Sequence, residues 1–299
     1  MTTSTRPAPG EGAILITGAT GTNGRLVVRA LLGAGARVRA MVQDCSRAED
    51  LGRAGAELVV GDFDRPDTLG AALAGVERAL LLSAVDQRLV ERETRFVEEA
   101  RRAGLRHLVK FSAIGAHPSA SFTFGRQHGA AERTIMDSGL AFTFVQPNFF
   151  MQNLLWSAET IKARGELYSS LGSTPASHVD ARDIAAVITS ALTDPTDRHA
   201  GQIHLVTGPA ALSFDEAADT FSRILQRPVR YQPLSDEQLK AGLRAAGQSE
   251  WQANALVELN TYARQGHASA VTDTVERITG RPARTLEQWL QDHTAAFEP

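Results

Sequence analysis

Six short, almost uninterrupted apolar runs divide the first half of this chain: AILIT (13–17), RVRAMV (37–42), ELVVG (57–61), ALLLSA (79–84), LVKFSA (108–113) and AFTFVQP (141–147). Between them lie segments with apolar residues at helical spacing, such as RLVERETRFVEEARRAG (88–104). A strand with one wet face alternates apolar and polar residues, so a run that is apolar throughout must be covered on both faces. Strands of this kind separated by helices form a parallel sheet, because a parallel neighbour is reached only by a crossover connection. The predicted fold class is therefore α/β, a doubly wound parallel sheet.

From about residue 148 the rhythm changes. FFMQNLLWSAETI reads as a helix, HVDARDIAAVITSALTD (178–194) as another, and QIHLVTG (202–208) as a further strand. Four capping boxes then announce helices: Ser213 with Glu216, Ser235 with Gln238, Ser249 with Gln252, and Thr285 with Gln288. The expected organisation has residues 1–11 as a disordered tail without an apolar core and 12–148 as the sheet domain, joined by 177–208. Residues 149–176 and 209–299 make a smaller, mostly helical lobe over the C-terminal edge of the sheet, where open parallel sheets bind ligands.

Charge excludes some functions. The chain has 31 basic and 34 acidic residues, a net charge of −3, and no extended basic run. Its densest basic patch, RRAGLRH (101–107), reads as a solvated helix end and not as a nucleic-acid surface. Cys45 is the single cysteine, so no disulfide can form within the chain and a reducing compartment fits. No apolar run approaches the roughly 20 residues of a membrane span. These features predict a cytoplasmic monomer or homodimer that acts on a small molecule, without a nucleic-acid or membrane partner.

The first apolar run leads into Thr17-Gly18-Ala19-Thr20-Gly21-Thr22-Asn23-Gly24 and then the helical RLVVRALLGAG. In a glycine triplet between the first strand and first helix, Gly18 permits a tight turn and Gly21 lets a pyrophosphate approach the backbone. Gly24 lets the helix pack closely, and the helix N-terminus offers N–H groups to the phosphates. The second strand ends in Gln43, followed by Asp44 and Arg47. A carboxylate there binds ribose hydroxyls, as in NAD(H), and a cation accepts the 2′-phosphate of NADP(H). Asp62, after the third strand, is placed either to contact adenine or to shape its turn.

Taken in order, the phosphate loop, GDFDRP, VKFSAIGA, GRQHGAAE, QPNFFMQN, VDARDIA and GRPARTLEQW resemble the NmrA-like atypical short-chain dehydrogenase/reductases. Within that family the chain is most similar to the branch of type 2 quinone oxidoreductases and triphenylmethane reductase. The resemblance runs from about residue 12 to 297. It implies a Rossmann domain for NADP(H), with NAD(H) as the alternative, and a smaller substrate lobe. The cofactor-binding residues it implies are Gly18, Thr20, Gly21, Thr22, Asn23, Gly24, Gln43, Arg47, Asp62, Phe63, Ser83 and Pro147. Two positions depart from the family pattern. Family members commonly hold the 2′-phosphate with an arginine where Gln43 stands, which leaves Arg47 as the candidate. They also often read Arg-Pro-Asn-Phe-Phe where this chain begins with Gln146.

The proton that accompanies hydride transfer has no obvious source. Classical short-chain dehydrogenases use Tyr-x-x-x-Lys. Here Tyr168, Tyr231 and Tyr262 are followed four residues later by Gly172, Ser235 and Gly266. His128 stands where related plant reductases carry a lysine, with Glu132 one helical turn later, and is the candidate acid. The pair could equally be a structural cap, or His128 could contact the nicotinamide ribose. Ser112 ends the fifth strand and is placed to hydrogen-bond substrate or ribose. Asn148, Phe149, Phe150, Trp156 and Trp251 are candidates for the substrate site, the aromatics as walls for a flat ligand. No third ligand at useful spacing points to a metal. The resulting expectation is an NAD(P)H-dependent reductase of a ketone or quinone on a planar aromatic molecule. The resemblance extends this to quinone detoxification and to ketoreduction of aromatic polyketides in antibiotic pathways. The alternative is a non-catalytic dinucleotide sensor, as some members of the family are.

Overall fold

The computed structural model describes residues 12–298; the expected tail, 1–11, lies outside them. The strands are β1 (Ala13–Ile16), β2 (Val38–Val42), β3 (Glu57–Val60), β4 (Val76–Leu81), β5 (His107–Phe111), β6 (Phe142–Pro147), β7 (Glu166–Ser169), β8 (Gln202–Val206) and β9 (Arg230–Pro233). The first five helices are α1 (Thr22–Gly33), α2 (Glu49–Arg53), α3 (Leu69–Leu73), α4 (Leu89–Arg102) and α5 (Thr123–Asp137). They are followed by α6 (Ala158–Arg164), α7 (Ala181–Thr193), α8 (Phe214–Leu225), α9 (Asp236–Ala245), α10 (Glu250–Tyr262), α11 (Thr274–Thr279) and α12 (Leu286–Gln291).

All seven strands read from the sequence join one sheet, in the order β3-β2-β1-β4-β5-β6-β8. Pairing from β3 across to β6 is parallel throughout. This is the Rossmann-type α/β fold. The chain runs outward from β1 through β2 to β3, then returns to β4 on the other side of β1. That reversal opens a crevice at the C-terminal ends of β1 and β4. Burial explains the apolar runs of the inner strands, where Leu15, Ile16, Ala79, Leu80, Leu81, Leu108 and Val109 are inaccessible to solvent, but not ELVVG: β3 is an edge strand with no buried residue, and Val60 is 45% exposed. One face packs Phe96, Val97, Ile135 and Phe144 among these strands.

The chain divides into two compact units. The first runs through Ser112 and adds Ala130–Val145 and Ala185–His204; the second takes Ala113–Gly129, Gln146–Ile184 and the chain from Leu205. The second unit has its own core around Ile161, Phe221, Trp289, Leu290 and Phe297. All four capping boxes form, each with side-chain and backbone bonds in both directions. Two short strands, β7 and β9, pair in parallel as a separate sheet. ELYS and RYQP are too short and too mixed in polarity to announce them. The helix read in FFMQNLLWSAETI starts late. Phe150 is held in an extended bridge with Val179, and Met151–Ser157 forms a 3₁₀ segment before α6 begins. Among the described residues no helix is long and apolar enough to cross a membrane.

One buried group ties this fold to pH. His107, at the start of β5, is fully buried, and its Nε2 lies 2.8 Å from Thr143 Oγ1. That hydroxyl donates to the His199 carbonyl, so His107 must be the donor to Thr143, as a neutral Nε2–H tautomer. Burial, with Arg78 and His199 adding repulsion, pushes its pKa down to about 4. The folded pKa lies below the unfolded one. The stabilisation is therefore complete above about pH 6.5 and is lost as pH falls toward 4, because only the unfolded chain takes up the proton. The loss should reach about 2 kcal/mol at pH 5. His178, also lowered to about 4 by burial, contributes in the same window. Urea midpoints at pH 7.5 and pH 5 should therefore converge in His107→Gln, with roughly half of the wild-type pH dependence removed. An unchanged gap would remove His107 from this account.

Candidate functional site

The phosphate loop is fixed by a side chain that precedes it. Thr17 is fully buried. Its N–H donates to Leu80 O at 3.1 Å, its hydroxyl donates to Leu82 O at 2.8 Å, and Oγ1 accepts from Leu82 N at 2.8 Å. This clamps the end of β1 to the end of β4. Gly18 then turns with φ +60°, where a Cβ would also stand 2.7 Å from Leu82 O. Gly21 is the extended N-cap of α1 and no side chain caps the helix, so its first N–H groups remain for an anion. A Cβ on Gly21 would meet only Gly18 O, at 3.4 Å; one on Gly24 would fall 2.1 Å from Gly18 O and 2.8 Å from Ala19 Cα. Gly24 is thus required by the protein's own packing, whereas Gly21 leaves space for something else. Thr22 opens the helix, and the adjacent Asn23 has a buried amide oxygen without a partner among the described residues.

Beside this loop is an open cleft of about 970 Å³. Of the sequence candidates, Gly18, Thr20, Gln43, Arg47, Asp62, Phe63 and Ser83 all line it. Arg25 braces the arrangement: its guanidinium donates to Thr20 O at 3.0 Å and Arg47 O at 2.8 Å while pairing with Asp50. Asp44, which is exposed and also lines the cleft, caps its own 3₁₀ turn, accepting from Ser46 N at 2.9 Å. The bonds from Ser46 hold its carboxyl below the usual carboxylate range. Asp62 likewise accepts from Asp64 N at 2.9 Å, so it serves its turn while it lines the cleft. Phe63 stands edge-on to Phe96, with ring centroids 5.8 Å apart. A second cation in the cleft, Arg92, escaped the sequence reading. It is engaged by Asp64 at 2.8 Å and Asp86 at 2.6 Å. Arg47 is exposed and has no acidic partner within salt-bridge distance among the described residues, although its charge helps to lower the Asp44 carboxyl.

Behind the cleft runs a buried polar network that the sequence reading did not anticipate. Ser83 donates to Glu93 at 2.8 Å, and Lys110 donates to the other oxygen of the same carboxylate at 2.5 Å. Lys110 is fully buried and Glu93 is 1% exposed. The signal was a lysine inside the apolar run LVKFSA, and a glutamate on the inward face of α4. Two residues beyond Lys110, Ser112 donates to Glu132 at 2.5 Å. With its proton given to Glu132, Ser112 can only accept a hydrogen bond from a ligand. His128 is 6% exposed on α5.

The second unit separates its candidates. Pro147 ends β6 and its carbonyl accepts from Ile114 N at 3.0 Å. Asn148 is buried, and its amide donates to Ser177 Oγ and Ala268 O, both at 2.7 Å. Its Oδ1 accepts from Phe149 N at 2.8 Å, so it clamps three chain segments together. Phe149 and Trp156 line an open cavity of about 760 Å³ within this unit. Phe150 and Trp251 do not; Trp251 packs edge-on to Phe124, with centroids 5.9 Å apart. The tyrosines already have partners, and Tyr168 also lines the cavity. Tyr168 donates to Glu166 at 2.7 Å and Tyr231 to Ser169 O at 3.0 Å, while Tyr262 stacks between Phe122 and His267. Burial raises the pKa of Tyr231 and Tyr262, the opposite of what a neighbouring lysine does to a catalytic phenol.

A parallel sheet with a glycine loop opening a helix at the reversal of strand order defines a Rossmann-type, dinucleotide-binding class of protein. Sequence comparison gives the particular group: the chain belongs to the NmrA-like family, whose model matches residues 10–290. It is 42% identical to an NAD(P)H azoreductase of Xenophilus azovorans, over 95% of this chain and 99% of that one. It is 35% identical to a (4-alkanoyl-5-oxo-2,5-dihydrofuran-3-yl)methyl phosphate reductase of Streptomyces griseus, over 96% and 99%. Among solved structures it resembles the Citrobacter sp. triphenylmethane reductase complexed with NADP(H), with a TM-score of 0.82 at 25% identity, over 93% of this chain and 99% of that one.

The glycines make separable predictions. Gly21→Ala should keep the unfolding midpoint to within about 1 kcal/mol while weakening NADPH binding at least tenfold, read by titration calorimetry. Gly24→Ala should lose stability itself, by about 1–3 kcal/mol, because the new methyl overlaps backbone. Full NADPH affinity in Gly21→Ala would mean that the phosphates do not pass there.

Proposed function

We propose that this protein is an NADPH-preferring reductase that delivers a hydride to a conjugated acceptor on a planar aromatic small molecule, a quinone or aromatic ketone in the first instance. Its class, an NAD(P)H-dependent oxidoreductase, is that of its close relatives. The carrying observation is the cleft beside the uncapped α1 N-terminus, where the first helix N–H groups are open to an anion and Arg47 makes no salt bridge among the described residues. These residues suit a dinucleotide phosphate and its 2′-phosphate. The α1 N–H groups would hold the pyrophosphate, the acceptor oxygen of Asn23 would receive a hydroxyl or amide N–H of the dinucleotide, Asp62 and Phe63 would meet the adenine end, and Ser83 a ribose hydroxyl. When bound, the dinucleotide supplies the hydride.

What the chain's own residues do is bind and orient. Glu93 holds the proton of Ser83, and Glu132 holds that of Ser112, so both serines present lone pairs and receive hydrogen bonds from hydroxyl groups. Neither is a proton source while its carboxylate is ionised. Two of the three tyrosines are weakened as acids by burial, and the third is bonded to Glu166. This favours an acceptor that stabilises its own developing charge through conjugation, with the proton coming from water or an internal hydroxyl. The azo and triphenylmethane acceptors named for two relatives are conjugated in that sense. The non-catalytic sensor is favoured by the missing Tyr-x-x-x-Lys alone.

The test is to follow NADPH and NADH oxidation with a panel of quinones, azo compounds and polycyclic aromatic ketones. NADPH should be preferred, and Arg47→Ala should raise KM for NADPH at least tenfold while leaving KM for NADH nearly unchanged. Equal losses for both would refute the 2′-phosphate assignment, and no oxidation with any acceptor would favour the sensor. On the proton, Tyr168→Phe, Tyr231→Phe and Tyr262→Phe should each keep most of kcat, and His128→Ala should cost less than a general acid contributes, about 10²–10⁴-fold. A thousandfold fall confined to His128→Ala would make histidine the acid; the same fall at a tyrosine would overturn this account of the site.

A further inference from the structure

The cavity of the second unit has a chemistry of its own. Leu234, Leu239 and Leu243 line it beside Leu256 and Leu259, and all five are only partly buried. The helix that carries Leu239 and Leu243, α9, has no buried residue. Trp156, at 71% exposure, is the most exposed of the large hydrophobic side chains described, and it too belongs to the cavity. Phe149 and Phe214 supply further aromatic wall. So much apolar surface left facing water on a concave wall is the pattern of a ligand site and not of a finished core.

Among the described residues no charged side chain lines this cavity. A sulfonate, carboxylate or phosphate would be desolvated there without a counter-charge, which is costly. Of the seven polar residues that interrupt the apolar wall, Ser157, Tyr168, Ser169, Ser170 and Asn260 use their side chains in hydrogen bonds within the protein, which leaves two to receive a ligand. The first is His178, set between Phe149 and Phe214 with ring centroids 5.7 Å from each. Its Nδ1 lies 3.2 Å from the Ala176 carbonyl, so Nδ1 carries the proton and Nε2 is left with a lone pair. Burial keeps the ring neutral, with its pKa down to about 4, and Nε2 therefore stays an acceptor at neutral pH. The second is Asn153, a partly buried cavity residue whose side-chain amide makes no hydrogen bond among the described residues.

We infer that this cavity selects an uncharged, flat aromatic ligand bearing a hydroxyl group, which His178 Nε2 receives as a hydrogen bond while Asn153 supplies the second polar contact. The inference deepens the proposed reductase reading and rests on it for the statement that the ligand is the substrate. It discriminates among acceptors of the same conjugated core: a phenolic compound is favoured, and its sulfonated or phosphorylated analogue is rejected.

The matched series azobenzene, 4-hydroxyazobenzene and azobenzene-4-sulfonate tests this on the full chain. Affinity is read by equilibrium dialysis with and without NADP⁺, apart from turnover. The hydroxylated compound should bind about three- to tenfold more tightly than azobenzene, the worth of one net hydrogen bond, and the sulfonate at least tenfold more weakly than either. His178→Phe should erase the advantage of the hydroxyl and leave azobenzene binding intact. Asn153→Leu should reduce that advantage in the same way, which keeps the test open should His178→Phe fail to fold. Leu256→Trp, which fills the cavity, should abolish binding of all three. Sulfonate binding as tight as that of the hydroxylated compound, no binding of any member, or equal losses for azobenzene and its hydroxylated form in both polar variants would overturn the inference. Selective binding without NADPH oxidation would sink the reductase reading and leave the cavity's selectivity standing. NADPH oxidation with unselective binding would do the reverse.

Discussion

The first turn of α1 lies so close to the loop feeding it that a single methyl group at residue 24 would stand 2.1 Å from the Gly18 carbonyl. Thr17 makes that approach possible by clamping the end of β1 to the end of β4 through three hydrogen bonds. The point of reversal in the sheet, the direction of the α1 N-terminus and the floor of the cleft all follow from this one junction. Were the loop a fraction of an ångström further out, the helix N–H groups would no longer converge on the space that Gly21 leaves open. A dinucleotide pocket of this kind is a backbone device, and side chains enter mainly to hold the backbone in place.

A second constraint lies under the cleft. Moving a lysine and a glutamate out of water costs several kcal/mol per ion, and their attraction repays this only when the remaining polar atoms are satisfied. Here Glu93 uses one carboxylate oxygen for Lys110 and the other for Ser83. Satisfying the pair and fixing the orientation of a cleft hydroxyl are therefore one act. An apolar pair of the same volume would fill the space at least as well, but it would leave Ser83 to choose its own rotamer. Glu132 treats Ser112 in the same way at the end of β5, so two serines are held with their lone pairs free.

The second unit works by a different logic. Its capping boxes and its core of Trp289, Phe221 and Phe297 build a frame, and Asn148 locks three segments of that frame with every polar atom engaged. On that frame the partly buried leucines of α9 and α10 and the exposed Trp156 line an open cavity. Recognition there is assigned to hydrophobic area and a neutral imidazole, in contrast with the backbone dipoles and free arginine of the first unit.

The strands of the main sheet, the glycine loop, the capping boxes and the family pattern were all legible in the sequence, because each rests on local chemistry: continuous apolarity for a sheet buried on both faces, spacing for a glycine turn, and a side chain reaching three residues along for a cap. β7 and β9 were not, since four-residue strands of mixed polarity carry no period to detect. Nor did the sequence distinguish Asn148, a clamp, from Asn153, a cavity residue, although both flank the same aromatic block. It ranked Phe149, Phe150, Trp156 and Trp251 together as walls, and only two of them line the cavity. Lys110 with Glu93, and His178 with its committed Nδ1, depend on contacts between residues far apart or on one carbonyl's direction. The sequence by itself determined the sheet, the loop and the residue types available for binding. Which of those side chains are used up within the protein, and which keep a hydrogen-bonding atom for a ligand, only the tertiary structure decided, because a polar group's freedom is set by the neighbours that folding brings to it.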